Sequence, residues 1–392
     1  MNDINKPKIG KYIQQKEGYK TFTPLDFPPK AGFNISPKLY KKHEEAIRLV
    51  GKLDGIMRLL PDKDFFISMF VVKDATYSSQ IEGTKATLQD AVAAPVTEEK
   101  DRKNPDVDDI EHYIKAANYG VDRTKEFPIS LRFIRELHEK LMTGARSTQH
   151  AYPGEFRSTQ NWIGGKTPAD ASFVPPAPHD MNKAMGDLEK FIHTKDDYPS
   201  LVKAGLIHAQ FETIHPFTDG NGRTGRMLIA MYIHHAKLLE LPVLYLSSYF
   251  KKYQKVYYQK LQAYHDEDSD VYGWLDFFLE GIAEIAESGI ETCAQITALR
   301  DRDFAKMQKL GKKSAESTLE IVRKLFSQPI VGISEIMKWT GFSPQGAYNM
   351  IERLQKLRIL EPLGETEYAQ KYIYADYYEI FDDGFRAHRA KK

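Results

Sequence analysis

The sequence predicts a mainly α-helical protein that carries a small β-hairpin flap and a C-terminal winged helix-turn-helix domain. The first observation is a series of apolar stripes with spacings of three and four residues, the period of a helix that buries one face. The second is that no alternating strand pattern precedes the C-terminal unit. The third is a shift in composition, where a charged segment precedes that unit.

We expect the 392 residues to form five segments. Residues 1–36 are rich in Lys, Pro and Gly, and we expect them to form an extended arm rather than a helix or strand. The later segments are an N-terminal helical region, a helical core, a charged linker and a winged-helix domain. In that order they comprise residues 37–125, 126–295, 296–313 and 314–392.

The composition and net charge favour a folded protein without a strong overall electrostatic field. Hydrophobic residues make up 42% and charged residues 28%, and the net charge is +1. This balance argues against disorder and against general attraction to nucleic acid or anionic membranes. Cys293 is the lone cysteine, and no stretch of about 18 apolar residues is present to span a bilayer. We therefore expect a cytoplasmic protein.

The segment before Gly83 is predicted to be an amphipathic helix, because Phe65, Met69 and Val72 repeat with spacings of four and three. Gly83 is the expected stop, since glycine readily adopts the left-handed conformation that ends many helices. Residues 152–178 are loaded with Gly and Pro and are predicted to form a flap with a hairpin. Other predicted helices cover residues 109–124, 131–143, 181–194, 249–263 and 271–301.

A loop between two helices is predicted at residues 215–226. An apolar stripe ends at His215-Pro216, because a residue before proline is disfavoured in the α region, and a second stripe resumes at Ile229. The intervening residues read His-Pro-Phe-Thr-Asp-Gly-Asn-Gly-Arg-Thr-Gly-Arg.

This loop has the composition of an anion cradle. Gly220 and Gly222 permit backbone conformations in which successive N–H groups converge on an anion, and the start of the next helix adds its dipole. Arg223 and Arg226 lie three residues apart on the first turn and can fork onto phosphate oxygens. Taken singly, such a Gly-Asn-Gly turn is usually only a turn.

Two further residues of the loop supply reactive groups. Asp219 is a hard carboxylate of the kind that Mg²⁺ takes together with phosphate oxygens, and His215 can accept a proton near neutral pH. A base, a metal ligand and an anion cradle together suit in-line attack by a hydroxyl on phosphorus. The Walker A and H-E-x-x-H motifs are absent, which disfavours a P-loop ATPase and a zinc protease.

The loop resembles the signature of the Fic family, H-P-F-x-[D/E]-G-N-G-R-x-x-R, at every fixed position. The resemblance extends to residues 152–157 and 160–165, which look like the family's flap. It implies transfer of AMP from ATP to a Ser, Thr or Tyr hydroxyl of a target protein, with the chain itself as a possible target. Relatives that transfer UMP, phosphate or phosphocholine keep the donor open.

The resemblance also implies roles for individual residues. His215 is the implied general base, Phe217 the anchor of the loop, and Asp219 the ligand of Mg²⁺. Tyr257 and Tyr258 are candidates for contact with adenine, with Trp274 as a weaker one; the alternative is that these are core or interface aromatics. The implied phosphate ligands are Gly220, Asn221, Gly222, Arg223 and Arg226.

A second motif, Ser78-Ser79-Gln80-Ile81-Glu82-Gly83, precedes the loop in sequence. Glu82 lies at a helix C-terminus, where the dipole disfavours an anion by a few tenths to about 1 kcal/mol, so a cation should compensate. The string resembles the inhibitory [S/T]-x-x-x-E-[G/N] pattern of Fic proteins. It implies that Glu82 pairs with Arg226 within the ATP site and blocks productive docking of the γ-phosphate. An exposed helix-end glutamate is the alternative, and hydrolytic removal of AMP is also possible.

The C-terminal unit resembles a winged helix. Helices are predicted at residues 319–327, 333–340 and 343–357, with Ser343 as a cap and Pro344 at the first helical position, followed by a hairpin around residues 364–370. The candidate groove-facing set is thin in basic residues, so docking or dimerisation is favoured over DNA binding. A DNA-binding regulator whose Fic fold only senses nucleotide is the rival function. The candidate residues are Gln345, Tyr348, Asn349, Arg353 and Lys356.

Overall fold

The computed structural model describes residues 7–60, 63–102, 104–145, 152–364, 370–382, 384–385 and 389. The fold is mainly helical with small antiparallel sheets, which confirms the predicted mainly α-helical class. The chain divides into two compact units. The first comprises residues 1–54, 77–84 and 108–286, and the second comprises residues 55–76, 85–107 and 287–392. Among the described residues, no helix is both long and apolar enough to cross a membrane.

The elements are numbered in chain order, over the described part of the chain. The helices are α1 (Pro37–Leu59), α2 (Lys63–Ile81), α3 (Leu88–Ala93), α4 (Val107–Thr124), α5 (Leu131–Met142), α6 (Pro178–His193), α7 (Ser200–Ile214), α8 (Asn221–His235), α9 (Ser247–Lys252), α10 (Gln254–His265), α11 (Val271–Met307), α12 (Lys312–Leu325), α13 (Ile333–Thr340), α14 (Pro344–Lys356) and α15 (Ala375–Tyr378). The strands are β1 (Gly10–Gln14), β2 (Lys20–Pro24), β3 (Ile330–Val331), β4 (Glu361–Leu363) and β5 (Lys371–Ile373). Short 3₁₀ turns cover Ala94–Val96 and Glu99–Asp101.

Helix α7 forms the centre of the first unit. Every residue of α7 except Ser200 and Glu212 is buried, the pattern of a helix that is covered on all sides. It packs against α6, α8 and α10, and α5 packs against α6 and α8. The loop between α7 and α8 is therefore attached at both ends to the core of this unit.

The N-terminal arm contains a hairpin, so the expectation of an extended arm without elements is wrong at residues 10–24. Strands β1 and β2 pair antiparallel, with Tyr12 opposite Phe22. Phe22 is 1% exposed, and its N–H donates to the carbonyl of Val174. The Lys, Thr and Gly residues around β2 gave no strand pattern in the sequence, and burial of the aromatic residue Phe22 stabilises this strand. Residues 1–6 lie outside the described residues.

The predicted flap is an irregular loop rather than a regular hairpin. A single antiparallel bridge joins Ile163 to Phe173, and the N–H of Ile163 donates to the carbonyl of Phe173 at 2.8 Å. Phe173 is 3% exposed and stacks on His265 at 3.7 Å, which attaches this end of the flap to α10.

The C-terminal part of the second unit contains four helices, α12 to α15, and a small sheet. Strand β5 lies between β3 and β4, and both pairings are antiparallel. As the sequence predicts, Ser343 caps α14 by accepting from the N–H of Gly346 at 3.2 Å, and Pro344 takes the first helical position. Residues 365–369 of the predicted hairpin lie outside the described residues.

The segment interpreted as a linker, residues 296–313, is helical over most of its length. Helix α11 continues through Met307, and α12 begins at Lys312. The charged residues are held along α11 by partners: Asp303 is fully buried and accepts from Tyr374 at 2.6 Å and from Lys306 at 2.7 Å. Paired charges on a helix resemble a solvated linker in composition, which explains the error.

Candidate active site

The loop between α7 and α8 is closed by the side chain of Asn221. Its Oδ1 accepts from the N–H of Phe217 at 2.8 Å, and its Nδ2 donates to the carbonyl of the same residue at 2.8 Å. Gly220 is the N-cap of α8 and has a φ of 78°, which favours glycine. The first N–H groups of a helix lack intrahelical acceptors, so this end of α8 suits an anion.

Phe217 anchors the loop in the core. It is fully buried, and its ring stacks on His138 with 3.7 Å between centroids and 2° between planes. The N–H of Gly154 donates to His138 Nδ1, so Nε2 carries the proton and donates to the carbonyl of Asp219 at 3.0 Å. Burial lowers the pKa of His138 to about 4, which keeps this ring neutral.

His215 has the geometry of a neutral base. It follows α7 in the left-handed conformation, with φ 50° and ψ 61°, which is uncommon for a residue other than glycine. Its Nδ1 lies 3.2 Å from the backbone carbonyl of Glu212, which can only accept, so Nδ1 carries the proton and Nε2 has its lone pair free. Burial is the largest influence on the pKa of His215 and lowers it to about 4.

Arg226 is paired with Glu82 although 144 residues separate them. Arg226 Nη2 donates to Glu82 Oε1 at 2.6 Å, Nε donates to Ser78 Oγ at 2.8 Å, and Nη2 also donates to the carbonyl of Ser78 at 3.0 Å. The arginine side chain is 2% exposed and the glutamate side chain 40% exposed. Burial is the largest single influence and disfavours the charged guanidinium, but the Glu82 carboxylate together with Tyr257 and Glu212 outweighs it and raises the Arg226 pKa.

Gly222 makes this pairing possible. A Cβ atom at this position would lie 2.3 Å from Glu82 Oε1 and 2.9 Å from Arg226 Nη1. Since real Cβ atoms do not approach other atoms so closely, any side chain here would displace the carboxylate. The glycine therefore serves both the start of α8 and the approach of Glu82.

The C-terminal end of α2 is satisfied by side chains from α9 and α10. Lys251 Nζ donates to the carbonyl of Gln80 at 3.0 Å, and Gln254 Nε2 donates to that of Ile81 at 3.0 Å. The hydroxyl of Tyr258 also donates to the Ile81 carbonyl, at 3.3 Å. These donors, including one cation, supply the compensation that the helix end before Glu82 requires.

One cavity of about 560 Å³ brings most of the candidate residues together. This volume lies in the range of small-molecule sites. The candidates that line it are Glu82, His215, Asp219, Gly220, Asn221, Gly222, Arg226, Tyr257 and Tyr258. The rest of its wall includes Ile163 and Phe173 of the flap and Leu261, Gln262 and His265 of α10.

Asp219 can contribute to a metal site within this cavity. Its side chain is 50% exposed, and its Oδ1 accepts from the N–H of Gly220 at 2.6 Å. Mg²⁺ is usually bound by one or two carboxylates together with substrate phosphates and water. A single half-exposed carboxylate beside a phosphate cradle fits that requirement.

Five candidates lie outside the cavity wall, namely Ser78, Gly83, Phe217, Arg223 and Trp274. Ser78 and Phe217 act through Arg226 and the core, as described above, and Gly83 follows α2 with a φ of 100°, as expected of a stop. Arg223 is 6% exposed and lies against Met142, with its Nη2 3.6 Å from the sulfur, and its Nη1 is 3.9 Å from Asp109. The structure thus directs the two arginines of the loop to different surroundings.

The aromatic candidates divide in the same way. Tyr258 is 46% exposed, whereas Tyr257 is 1% exposed and its hydroxyl contacts His208 Nε2 at 2.9 Å. His208 Nδ1 donates to the carbonyl of Gly225, so Nε2 carries no proton and accepts a hydrogen bond from the hydroxyl of Tyr257. Trp274 is fully buried and donates to the carbonyl of Gly205.

Glu212 was not singled out from the sequence. It lies one turn before His215, its Oε2 is 4.0 Å from His215 Nδ1, and burial raises its pKa to about 8. Its Oε1 is buried without a hydrogen-bond partner among the described residues. The only sequence signal was an acidic residue within the apolar stripe of α7.

The chain combines a helical fold with a helix start that suits an anion and a histidine at its edge, and comparisons with known proteins agree on the class. Residues 128–233 match the model of the Fic/DOC family, and residues 40–122 match that of the Fic/DOC family N-terminal region. Residues 128–233 therefore form a Fic/DOC domain, preceded by a region similar to the family's N-terminal region.

Curated relatives share part of the sequence. The chain is 31% identical over 167 residues to protein adenylyltransferase Fic of Nematostella vectensis, which covers 39% of this chain and 35% of that protein. It is 30% identical over 145 residues to the protein of the same name in Aedes aegypti, which covers 36% of this chain and 25% of that protein. The chain therefore spans about a third or less of the length of these relatives.

Solved structures share the fold. A Fic family protein from Desulfovibrio desulfuricans G20 superposes with a TM-score of 0.56 at 18% identity, covering 87% of this chain and 97% of that one. Residues 134–508 of Fic-1 from C. elegans give a TM-score of 0.50 at 17% identity, covering 67% of this chain and 75% of that one.

Proposed function

We propose that the chain is a protein adenylyltransferase that transfers AMP from ATP to a Ser, Thr or Tyr hydroxyl, either of a target protein or of the chain itself. The observation that carries this proposal is the cavity in which the free Nε2 side of His215 meets the anion-binding start of α8. The adenylyltransferase names of the curated relatives support ATP as the donor.

In the proposed reaction the target oxygen attacks the α-phosphorus of ATP. A new oxygen–phosphorus bond forms, the bond from that phosphorus to the bridging oxygen breaks, and pyrophosphate leaves with the electron pair. The hydroxyl proton moves to Nε2 of His215, which is neutral at the start because its pKa is lowered to about 4.

The charges of the phosphates are met by groups of this chain. The N–H groups of Asn221 and Gly222 at the start of α8 would bind the phosphate oxygens, and Arg226 would bind the terminal phosphate. Asp219 would hold Mg²⁺, which when bound supplies positive charge that neutralises the leaving pyrophosphate.

We further propose that Glu82 inhibits this reaction in cis. Its carboxylate is paired with Arg226 at 2.6 Å, so the guanidinium that the terminal phosphate needs is already engaged. Release of Glu82 would permit productive docking of ATP. Because Glu82 lines the same cavity, it is also available for the reverse reaction, in which water removes AMP from a modified hydroxyl.

The test uses wild type, Glu82→Gly and His215→Ala, each incubated with Mg²⁺ and one α-³²P-labelled nucleoside triphosphate at a time. We expect strong protein labelling from ATP with Glu82→Gly, weak labelling with wild type and none above background with His215→Ala. His179→Ala is the matched control, because the His179 side chain is 83% exposed and lies outside the cavity wall.

Each result has a defined meaning. Labelling that survives in His215→Ala would refute the assigned base, and equal labelling of wild type and Glu82→Gly would refute inhibition. Preferential labelling from another triphosphate would replace ATP as the donor. Absence of label from every nucleotide in Glu82→Gly would favour the rival function, a regulator that only senses nucleotide.

For residues 314–392 we propose a winged-helix unit that serves docking or dimerisation rather than DNA binding. Tyr348 on α14 is 52% exposed, as expected of a protein contact. Lys356 pairs with Glu352 at 2.9 Å, and Gln345 bonds Asn349 at 3.0 Å, so part of the candidate DNA-reading set is engaged on its own helix. Light scattering on the full chain and on its Tyr348→Ala variant measures dimerisation, and a DNA mobility-shift assay on the same two proteins measures DNA binding. Together the two assays distinguish the two roles. We also propose a cytoplasmic location.

A further inference from the structure

Arg157, a buried arginine of the flap, donates hydrogen bonds to the backbone of the loop that carries His215. Arg157 is 4% exposed, and its hydrogen-bond acceptors among the described residues are all backbone carbonyl oxygens. Its Nε donates to the carbonyl of His215 at 2.9 Å, and its Nη2 donates to that of Pro176 at 2.5 Å. Burying a guanidinium is unfavourable by several kcal/mol unless its hydrogen bonds are well satisfied. A neutral residue would fill this space at less cost, so the charge calls for an explanation.

Arg157 and Asn161 of the flap together donate hydrogen bonds to four consecutive backbone carbonyls at the end of α7. Arg157 Nη2 reaches the carbonyl of Ile214 at 3.4 Å, its Nε binds that of His215, and its backbone N–H donates to that of Pro216 at 2.9 Å. Asn161 Nδ2 donates to the carbonyl of Phe217 at 3.0 Å and also contacts that of His215 at 3.3 Å. Carbonyls at a helix C-terminus lack intrahelical partners, and a cation there is favourable.

His215, whose carbonyl accepts from Arg157, also has a strained backbone conformation. His215 has a φ of 50° in a region that costs a non-glycine residue of order 1 kcal/mol or more, and such a conformation persists only where its surroundings enforce it. The bond from Arg157 to the His215 carbonyl is a direct means of enforcing it.

We propose that Arg157 is a positioning residue, which holds the strained backbone of His215 so that the imidazole faces the reacting hydroxyl in its neutral form. This inference rests on the proposed function for its kinetic consequence. Its consequence for the imidazole itself does not depend on any activity.

The charges around His215 determine in which direction loss of Arg157 shifts the His215 pKa. Besides burial, the positive charge of Arg157 lowers the His215 pKa. The carbonyl of Glu212 and the carboxylates of Glu82 and Asp219 act in the opposite direction, and the neighbouring Glu212 carboxyl has a raised pKa of about 8. Removing the Arg157 charge should therefore raise the His215 pKa.

Kinetics and titration test the proposal together. Arg157→Met, Arg157→Lys and the control Arg135→Met are made in the Glu82→Gly chain. Arg135 is matched because its Nε also donates to a flap carbonyl, that of Gly154 at 2.6 Å, but not to the His215 loop. ATP-dependent labelling gives kcat and KM, and histidine ¹⁵N NMR follows the titration of His215, assigned by its loss in His215→Asn.

We expect Arg157→Met to lower kcat by about 100-fold, the effect of a displacement on the order of 1 Å, with KM for ATP changed less than about threefold. It should also move the His215 titration to higher pH. Arg157→Lys keeps the charge without the planar fork, so kcat should fall while the titration stays near that of the parent. Arg135→Met should change neither.

Equal kcat losses in Arg157→Met and Arg135→Met, or an unchanged His215 titration in Arg157→Met, would overturn the proposal. If Arg157→Met fails to fold, Arg157→Lys decides, because unchanged kcat in that variant contradicts the positioning role. If no variant, including the Glu82→Gly parent, labels any protein, the proposed function fails, and the titration still decides whether Arg157 controls His215.

Discussion

Replacing Glu82 by glycine should lower the stability of the nucleotide-free chain and increase the stabilisation that ATP gives it. The change removes the carboxylate that lies 2.6 Å from Arg226 Nη2, and leaves a 2% exposed guanidinium with only Ser78 as a hydrogen-bond acceptor within the described contacts. Since Glu82 follows the last residue of α2, the substitution does not alter the interior of that helix.

The loss of stability can be bounded from this geometry. Breaking a buried ion pair by removing one partner costs about 3–5 kcal/mol. Because the Glu82 side chain is 40% exposed, water already screens part of the pair, and we expect about 1–2 kcal/mol. With about 2–4 °C for each kcal/mol in a unit of this size, the melting temperature should fall by about 2–8 °C.

The response to ATP should move in the opposite direction. Arg226 becomes free for the terminal phosphate, and a hydrogen bond to a charged group contributes about 1.5–3 kcal/mol, or roughly a 10- to 100-fold gain in affinity. At saturating nucleotide this gain appears as about 1.4–2.7 kcal/mol of additional stabilisation. ADP lacks the terminal phosphate, so its effect should be similar in both chains.

Thermal unfolding with Mg²⁺ and ATP, ADP or no nucleotide measures both effects, in the His215→Ala background to prevent turnover. Glu126→Gly is the matched control, because Glu126 is also an exposed glutamate just after a helix, here α4. An unchanged melting temperature without nucleotide, together with an ATP shift equal to that of the parent, would refute the competition between Glu82 and the phosphate.

Three other changes have expected outcomes. Lys251→Met removes the donor to the Gln80 carbonyl; at about 0.5–1.5 kcal/mol for one hydrogen bond, ATP-dependent labelling by the otherwise wild-type chain should rise about two- to tenfold in the same radiolabel assay. Tyr257→Phe leaves the buried His208 without its hydroxyl donor and should lower the free energy of unfolding by about 1–3 kcal/mol in a urea titration, and an unchanged midpoint would contradict this pairing. Glu212→Gln should gain stability relative to wild type as pH rises from about 4.5 to about 8, because the native state of wild type holds a proton that the unfolded chain releases; urea titrations at pH 5 and pH 8 with equal differences would contradict it.

The sequence was sufficient to predict the structure of one continuous segment. Residues 215–226 carry their own turn, helix start and polar groups, so the loop and its cavity-lining members followed from local chemistry. The contact of Glu82 with Arg226 required a resemblance, because no local pattern relates positions 144 residues apart.

Features that depend on packing were not predictable from the sequence. Arg223 and Arg226 look equivalent along the first turn of α8, but the side that faces Met142 of α5 is decided only when the helices pack. Arg157 has the same limitation, since an arginine in a loop gives no sign that its acceptors will be the carbonyls at the end of α7.

The N-terminal hairpin has a practical consequence for how the protein is produced. Tyr12 contacts Nδ1 of His265 at 3.2 Å, and Phe22 packs near the same ring, which is part of the cavity wall. A recombinant fragment trimmed to residue 40, where the family match begins, would lack this support. Nucleotide selectivity measured on such a fragment would describe an altered pocket, so binding studies should use the chain with its first residues intact.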